Sequence, residues 1–135
     1  MHWTIDALND NPLYVTLGIR LLSMLEDEAV SELRPTPQVC WPQRGQPHGG
    51  VLFTQLDTTM ASAVLAGLPS AAGCSTINAD VQYLAPARGP LLRCTARVQR
   101  RGGKVCFVRA ETEDAEGNLV ALAQGSFRIF ASGKT

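Results

Sequence analysis

Asp57 is the one Asp, Glu, Lys or Arg between Gly45 and Ala79. The residues around it, Gly50 to Ala66, are apolar or small. A lone carboxylate in such a run costs free energy unless a partner satisfies it or chemistry uses it. Just upstream, His48-Gly49-Gly50 marks the start of a helix. A helix start leaves backbone N–H groups free to hold an oxyanion. A candidate base and a candidate oxyanion hole thus share one segment, a pairing suited to attack on a carbonyl carbon. The alternative is a structural acid bonded to Thr58 or Thr59. From Gly49 to Asp57 a helix rises about 12 Å. Base and oxyanion donor must meet within a few ångströms of one carbon. A second, antiparallel helix from a partner subunit resolves this, laying one chain's Asp57 beside the other's His48-Gly49.

Several elements must position these groups. Gly50–Ala66 lacks strand alternation and is apolar nearly all round, which suits a helix enclosed by other structure. Gly67-Leu68-Pro69 ends it. Upstream, residues 1–14 form an arm or a short helix. Gly18–Leu25 reads as a strand, Glu26-Asp27-Glu28 as a turn, and Ala29–Leu33 as the returning strand. Pro35, Pro37, Pro42 and Pro47 punctuate a loop leading to His48. Downstream, Thr76–Leu84 is a strand stopped by Pro86. Leu92, Cys94, Ala96 and Val98 alternate with Arg93, Thr95, Arg97 and Gln99, the clearest period of two in the chain. Arg101-Gly102-Gly103-Lys104 makes a hairpin turn, Val105–Thr112 returns, and Leu119–Phe130 is the last strand after a turn at Ala115–Asn118. The class is α+β: a sheet of five to six antiparallel strands wrapped around one helix, with residues 1–135 as one domain.

Composition sets the outer limits. The chain has 135 residues, is 45% hydrophobic and carries a net charge of +0. No global field draws in nucleic acid or an anionic membrane. Cys40, Cys74, Cys94 and Cys106 form no CxxC pair. With no basic, apolar leader at Met1-His2-Trp3, they read as packing thiols in a reducing cytoplasm. The stretch Gly49–Leu68 carries glycines, Asp57 and a following Pro69, so it reads as a core helix, not a membrane span. No second His, Cys or acid stands at metal-ligand spacing, and no metal or other cofactor is indicated.

The chain resembles the hotdog-fold acyl-CoA thioesterases, in particular the PaaI-like (phenylacetyl-CoA thioesterase) type. The resemblance runs from about Asn11 to Phe130 and centres on Gly45-Gln46-Pro47-His48-Gly49-Gly50 followed by Asp57. Thr76 to Ala87, the Gly102-Gly103-Lys104 turn and Gln124-Gly125-Ser126-Phe127 support it. It implies a helix enclosed by a curved sheet, homodimers that pair into homotetramers, and active sites between subunits.

The resemblance also assigns roles. Asp57 is the catalytic carboxylate, as general base or as nucleophile. Gly49 N–H is the oxyanion donor, Gly50 permits close approach, and His48 orders the loop or the substrate. Thr76 positions the attacking water, with Ser75 as the neighbouring alternative. Where the family often has Asn before the His, this chain has Pro42, and adjacent Gln43 is the substitute donor. Arg88 and the group Arg100, Arg101, Gly103 and Lys104 are expected at the phosphates of coenzyme A. The acyl group is expected along the helix, at Phe53, Leu56, Met60, and Thr59 or Ala63, most of which belong to the core, while Ala61, Ser62 and Ala63 leave room. Two alternatives stand beside thioesterase activity: a non-catalytic acyl-CoA-binding domain, which Pro42 favours and Asp57 opposes, and a hotdog hydratase or dehydratase, whose differently spaced His–acid motif is not found in this chain.

Overall fold

The computed structural model of the chain describes residues 3–69 and 72–131. In chain order the elements are α1 (Ile5–Asn9), α2 (Pro12–Leu17), β1 (Ile19–Leu25), β2 (Glu28–Leu33), a short 3-10 turn (Pro37–Val39), α3 (Gly49–Ala66), β3 (Gly73–Tyr83), β4 (Leu92–Arg101), β5 (Val105–Asp114) and β6 (Leu119–Phe130). The six strands form one antiparallel sheet in the order β1-β2-β4-β5-β6-β3. It wraps α3, the architecture the resemblance implies.

The N-terminal segment is two short helices, where the sequence suggested one helix or an arm. Thr4 caps α1 by accepting from Ala7 N–H, and Asn11 caps α2 by accepting from Leu13 N–H. Pro12 has no N–H to give an earlier turn, so it starts a helix and does not continue one. The Asn9 side chain docks on β1: its Oδ1 accepts from Leu21 N–H at 2.7 Å, and its Nδ2 donates to Leu21 O at 2.9 Å.

The roll of α3 decides what the site can be. Thr59 and Ser31 hydroxyls meet at 2.7 Å, and Gln55 Nε2 donates to Leu92 O at 3.3 Å. These buried polar contacts tie one helix face to β2 and β4. Leu56, Met60, Ala63 and Val64 share that side and are fully enclosed with Leu33, Leu92 and Phe127. The opposite stripe, including Gly50, Phe53, Asp57 and Ala61, is left partly or wholly uncovered. The helix is therefore enclosed on one side only within a single chain.

Strand β3 contains a bulge between Thr76 and Asn78. A bulge adds one residue and reverses which parity faces the core. Before it, Cys74 and Thr76 face α3; after it, Ala79, Val81 and Tyr83 do.

Candidate active site

Asp57 projects from the uncovered face of α3, half-buried. Its Oδ1 accepts a hydrogen bond from Thr76 Oγ1 at 2.7 Å. The structural alternative, a bond to Thr58 or Thr59, is not formed: Thr59 donates to Gln55 O at 2.6 Å, and the Thr58 side chain hydrogen-bonds Tyr14. Two neutral groups stand near the carboxylate. Burial pushes the Tyr14 hydroxyl up, with Thr58 opposing and the Asp57 charge adding to it. Burial likewise pushes the Cys74 thiol up to about 11, with lesser contributions from Cys106 and Asp57.

The other half of the chemistry sits at the start of α3. The proline-rich loop delivers it, closing on itself through Trp41 N–H to Gln46 O at 2.8 Å and His48 N–H to Val39 O at 2.9 Å. His48 is the N-cap: its Nδ1 accepts from Gly50 N–H at 2.8 Å. Its ring rests on Trp41, centroids 5.2 Å apart. Val51 N–H donates to His48 O at 2.9 Å. That leaves Gly49 N–H as the unused donor of this turn among the described residues. Gly50, with its N–H occupied, cannot serve. Tyr83, which the sequence reading passed over, donates its hydroxyl to Gly49 O at 2.8 Å.

Gly49 and Asp57 lie on one continuous helix, so they stand about 12 Å apart along it. One chain does not bring them together. It does bring Asp57 to Thr76, and His48 to Gly49 and Gly50.

Several other expected residues fall elsewhere. Met60 is 0% exposed, packed under Gly125, and lines no open pocket. Leu56 and Ala63 are equally enclosed. Phe53 is 38% exposed on the open face. Gln43 lines a separate hollow with Trp41 and Arg44, whereas Pro42 borders the groove beside His48. Arg101 is committed to an ion pair with Asp27 at 2.7 Å, over Gly67 at the far end of α3. Lys104 is exposed, and its carbonyl accepts from Ile129 N–H at 2.8 Å. Gly103 is open. Arg88 is exposed in the loop before β4, whereas Lys104 follows β4. Ten residues of strand put those two about 30 Å apart. The expected cationic patch therefore does not assemble in one chain.

A groove of about 570 Å³ opens beside His48 and Gly50. Leu13, Leu17, Val39, Trp41 and Val51 give it apolar walls. Among the described residues, no group of three or more His, Cys, Asp or Glu could hold a metal ion.

Comparison with known proteins places this architecture. The thioesterase superfamily pattern matches residues 45–121. A Halobacterium salinarum protein, named as a candidate esterase, is 42% identical over 97 residues. That alignment covers 66% of this chain and 64% of the relative, so the chain spans slightly under two thirds of it. A solved candidate thioesterase of Ralstonia eutropha JMP134, described as phenylacetic acid degradation-related, is 35% identical with a TM-score of 0.79, covering 87% of this chain and 89% of that one. A Bacillus halodurans protein solved with CoA is 30% identical with a TM-score of 0.71, covering 75% of this chain and 66% of that one. The chain belongs to the thioesterase superfamily, in its hotdog-fold, PaaI-like branch.

Proposed function

We propose that the protein is an acyl-CoA thioesterase whose two active sites are each built from both chains of a homodimer. One observation carries the reading. Asp57 stands on the uncovered face of α3, partnered by Thr76, while the unused N–H of Gly49 lies two turns away on the same helix. Antiparallel packing of two such faces sets each Asp57 against the other chain's Gly49. The bare outer edge of β3 supports the pairing. It is eleven residues long, with Ile77 57% exposed, and an unpaired edge of that kind is a template for another strand. Two such dimers would form the expected tetramer.

In this site Asp57 takes a proton from water as the water oxygen bonds to the thioester carbon. Gly49 N–H and the positive end of α3 hold the oxyanion. Collapse breaks the C–S bond and releases the CoA thiolate, which takes up a proton. If Asp57 attacks directly, a mixed anhydride forms first and water then cleaves it. Rapid-quench mass spectrometry separates the routes, because only the second leaves an acyl group on the protein. Thr76 holds the carboxylate in either case.

The acyl group extends into the apolar groove beside His48, and Phe53 faces the same interface. Antiparallel helices also carry the Lys104 end of one chain toward the Arg88 end of the other. CoA phosphates are then held across the dimer, with Gly103 presenting backbone to them. The CoA-bound Bacillus relative is consistent with that ligand. A reducing cytoplasm fits four free cysteines. No helix among the described residues is long and apolar enough to cross a membrane.

The test is thiol release from short, medium, long and aryl acyl-CoAs. Wild type should turn over at least one class, and Asp57→Asn should lose about 10³-fold or more with its melting curve unchanged. No release from any acyl-CoA would refute the assignment. Pro42 at the groove favours one second reading, acyl-CoA binding without turnover. Calorimetric binding with no thiol release would select it.

A further inference from the structure

We infer that Tyr83 is a positioning residue for the oxyanion donor, an inference that rests on the thioesterase reading above. The peptide joining Gly49 to Gly50 is clamped at both ends. Its oxygen accepts from Tyr83 Oη at 2.8 Å, and its N–H donates to His48 Nδ1 at 2.8 Å. The preceding peptide, between His48 and Gly49, is held by its oxygen, which accepts from Val51 N–H at 2.9 Å. Its N–H is Gly49's own, the donor left over for substrate.

A clamp matters here because of the residue types. Two consecutive glycines have the widest backbone freedom, and the first turn of a helix has no earlier turn to hold it. An oxyanion donor contributes fully only when it is aimed in advance at the place where charge develops. The Gly-Gly pair lets substrate approach closely and also threatens that aim. Tyr83 supplies the missing constraint from the sheet, a rigid element, to the loop end of the helix.

Within one chain Tyr83 is 51% exposed, so its ring adds little to the core of that chain. It reaches Gly49 because the bulge after Thr76 turns residues 79, 81 and 83 toward α3. The strand that holds Asp57 through Thr76 thus also holds Gly49 through Tyr83. Its ring lies 3.5 Å from where a Cβ on Gly49 would stand, so it also walls one side of the donor.

Tyr83→Phe keeps the ring and removes the hydroxyl. Its melting temperature and dimerisation should match wild type. Turnover should fall about tenfold in kcat with KM little changed, a fraction of the loss on deleting a donor outright. A spectroscopic readout isolates aim from stability. A CoA ketone, with the thioester sulfur replaced by methylene, is bound to Asp57→Asn and to Asp57→Asn/Tyr83→Phe. The ketone C=O stretch should move to higher frequency in the double variant, because the N–H no longer polarises it as strongly. An active wild type combined with unchanged kcat and an unmoved stretch in the Tyr83 variants overturns the positioning role alone. So does a rise in KM at constant kcat, which marks the hydroxyl as a binding contact. A wild type inactive on every acyl-CoA overturns the thioesterase reading and this inference together.

Discussion

Thr76 Oγ1 donates to one oxygen of Asp57, and the other has no hydrogen-bond partner among the described residues. A hydrogen bond to a charged acceptor contributes about 1.5–3 kcal/mol. Thr76→Val, of similar shape but without the hydroxyl, should therefore lower kcat about tenfold and leave the melting temperature within a few degrees, measured by thiol release and thermal denaturation. Cys74 sits close by with its thiol pushed up to about 11. The thiolate is the reactive form, so iodoacetamide should leave Cys74 largely unlabelled near pH 8 and label it increasingly as pH rises toward 11. Peptide mass spectrometry reads this residue by residue. Sequence made Asp57, His48 and Gly49 legible because each is unusual where it stands. It showed that most of the helix residues belong to the core, but not that Leu56, Met60 and Ala63 are the enclosed ones and Phe53 the open one. A helix apolar all round gives no sign of which face the sheet will take, and the roll was set by the small polar residues Gln55, Thr59 and Ser31. Nor could charge alone show that Arg101 is spent on Asp27, a residue far away in the chain.

The elements were more legible than their registers. Period two in β4 and the glycine turns gave the strands, and the apolar run gave α3. The bulge in β3 left no mark in the sequence. Without it, counting by twos from Thr76 puts Tyr83 on the outer surface, which is why its contact with Gly49 was missed. Other joints are set by a single backbone. Gly18 ends α2 with φ 89°, and a Cβ there would stand 1.9 Å from Arg34 O. Its own carbonyl accepts from Arg34 N–H at 2.8 Å, joining α2 to the end of β2. Relief would require both backbones to move. Gly18→Ala should cost about 2–4 kcal/mol, from left-handed strain plus the clash. A melting temperature lowered by roughly 5–15 °C would report it.

The two edges of the sheet differ: one is blocked at a single residue and the other is open. At β1 the Asn9 amide occupies the backbone of Leu21, while β3 is left bare beside a half-covered helix. In the proposed homodimer both features are met by a second copy of the chain, and the active groups divide between copies. Because a single helix carries one contribution to each of two sites, defects need not add. Gly49→Pro removes the donor N–H at a helix position where proline fits. It should be inactive alone, as should Asp57→Asn. Co-refolded, the two form mixed dimers in which one site collects both lesions and the other collects none. An equimolar mixture should recover about a quarter of wild-type turnover, since half of randomly paired dimers are mixed and each has one sound site. Two inactive proteins would restore each other, and a cell carrying both altered copies would keep the activity that either one alone abolishes.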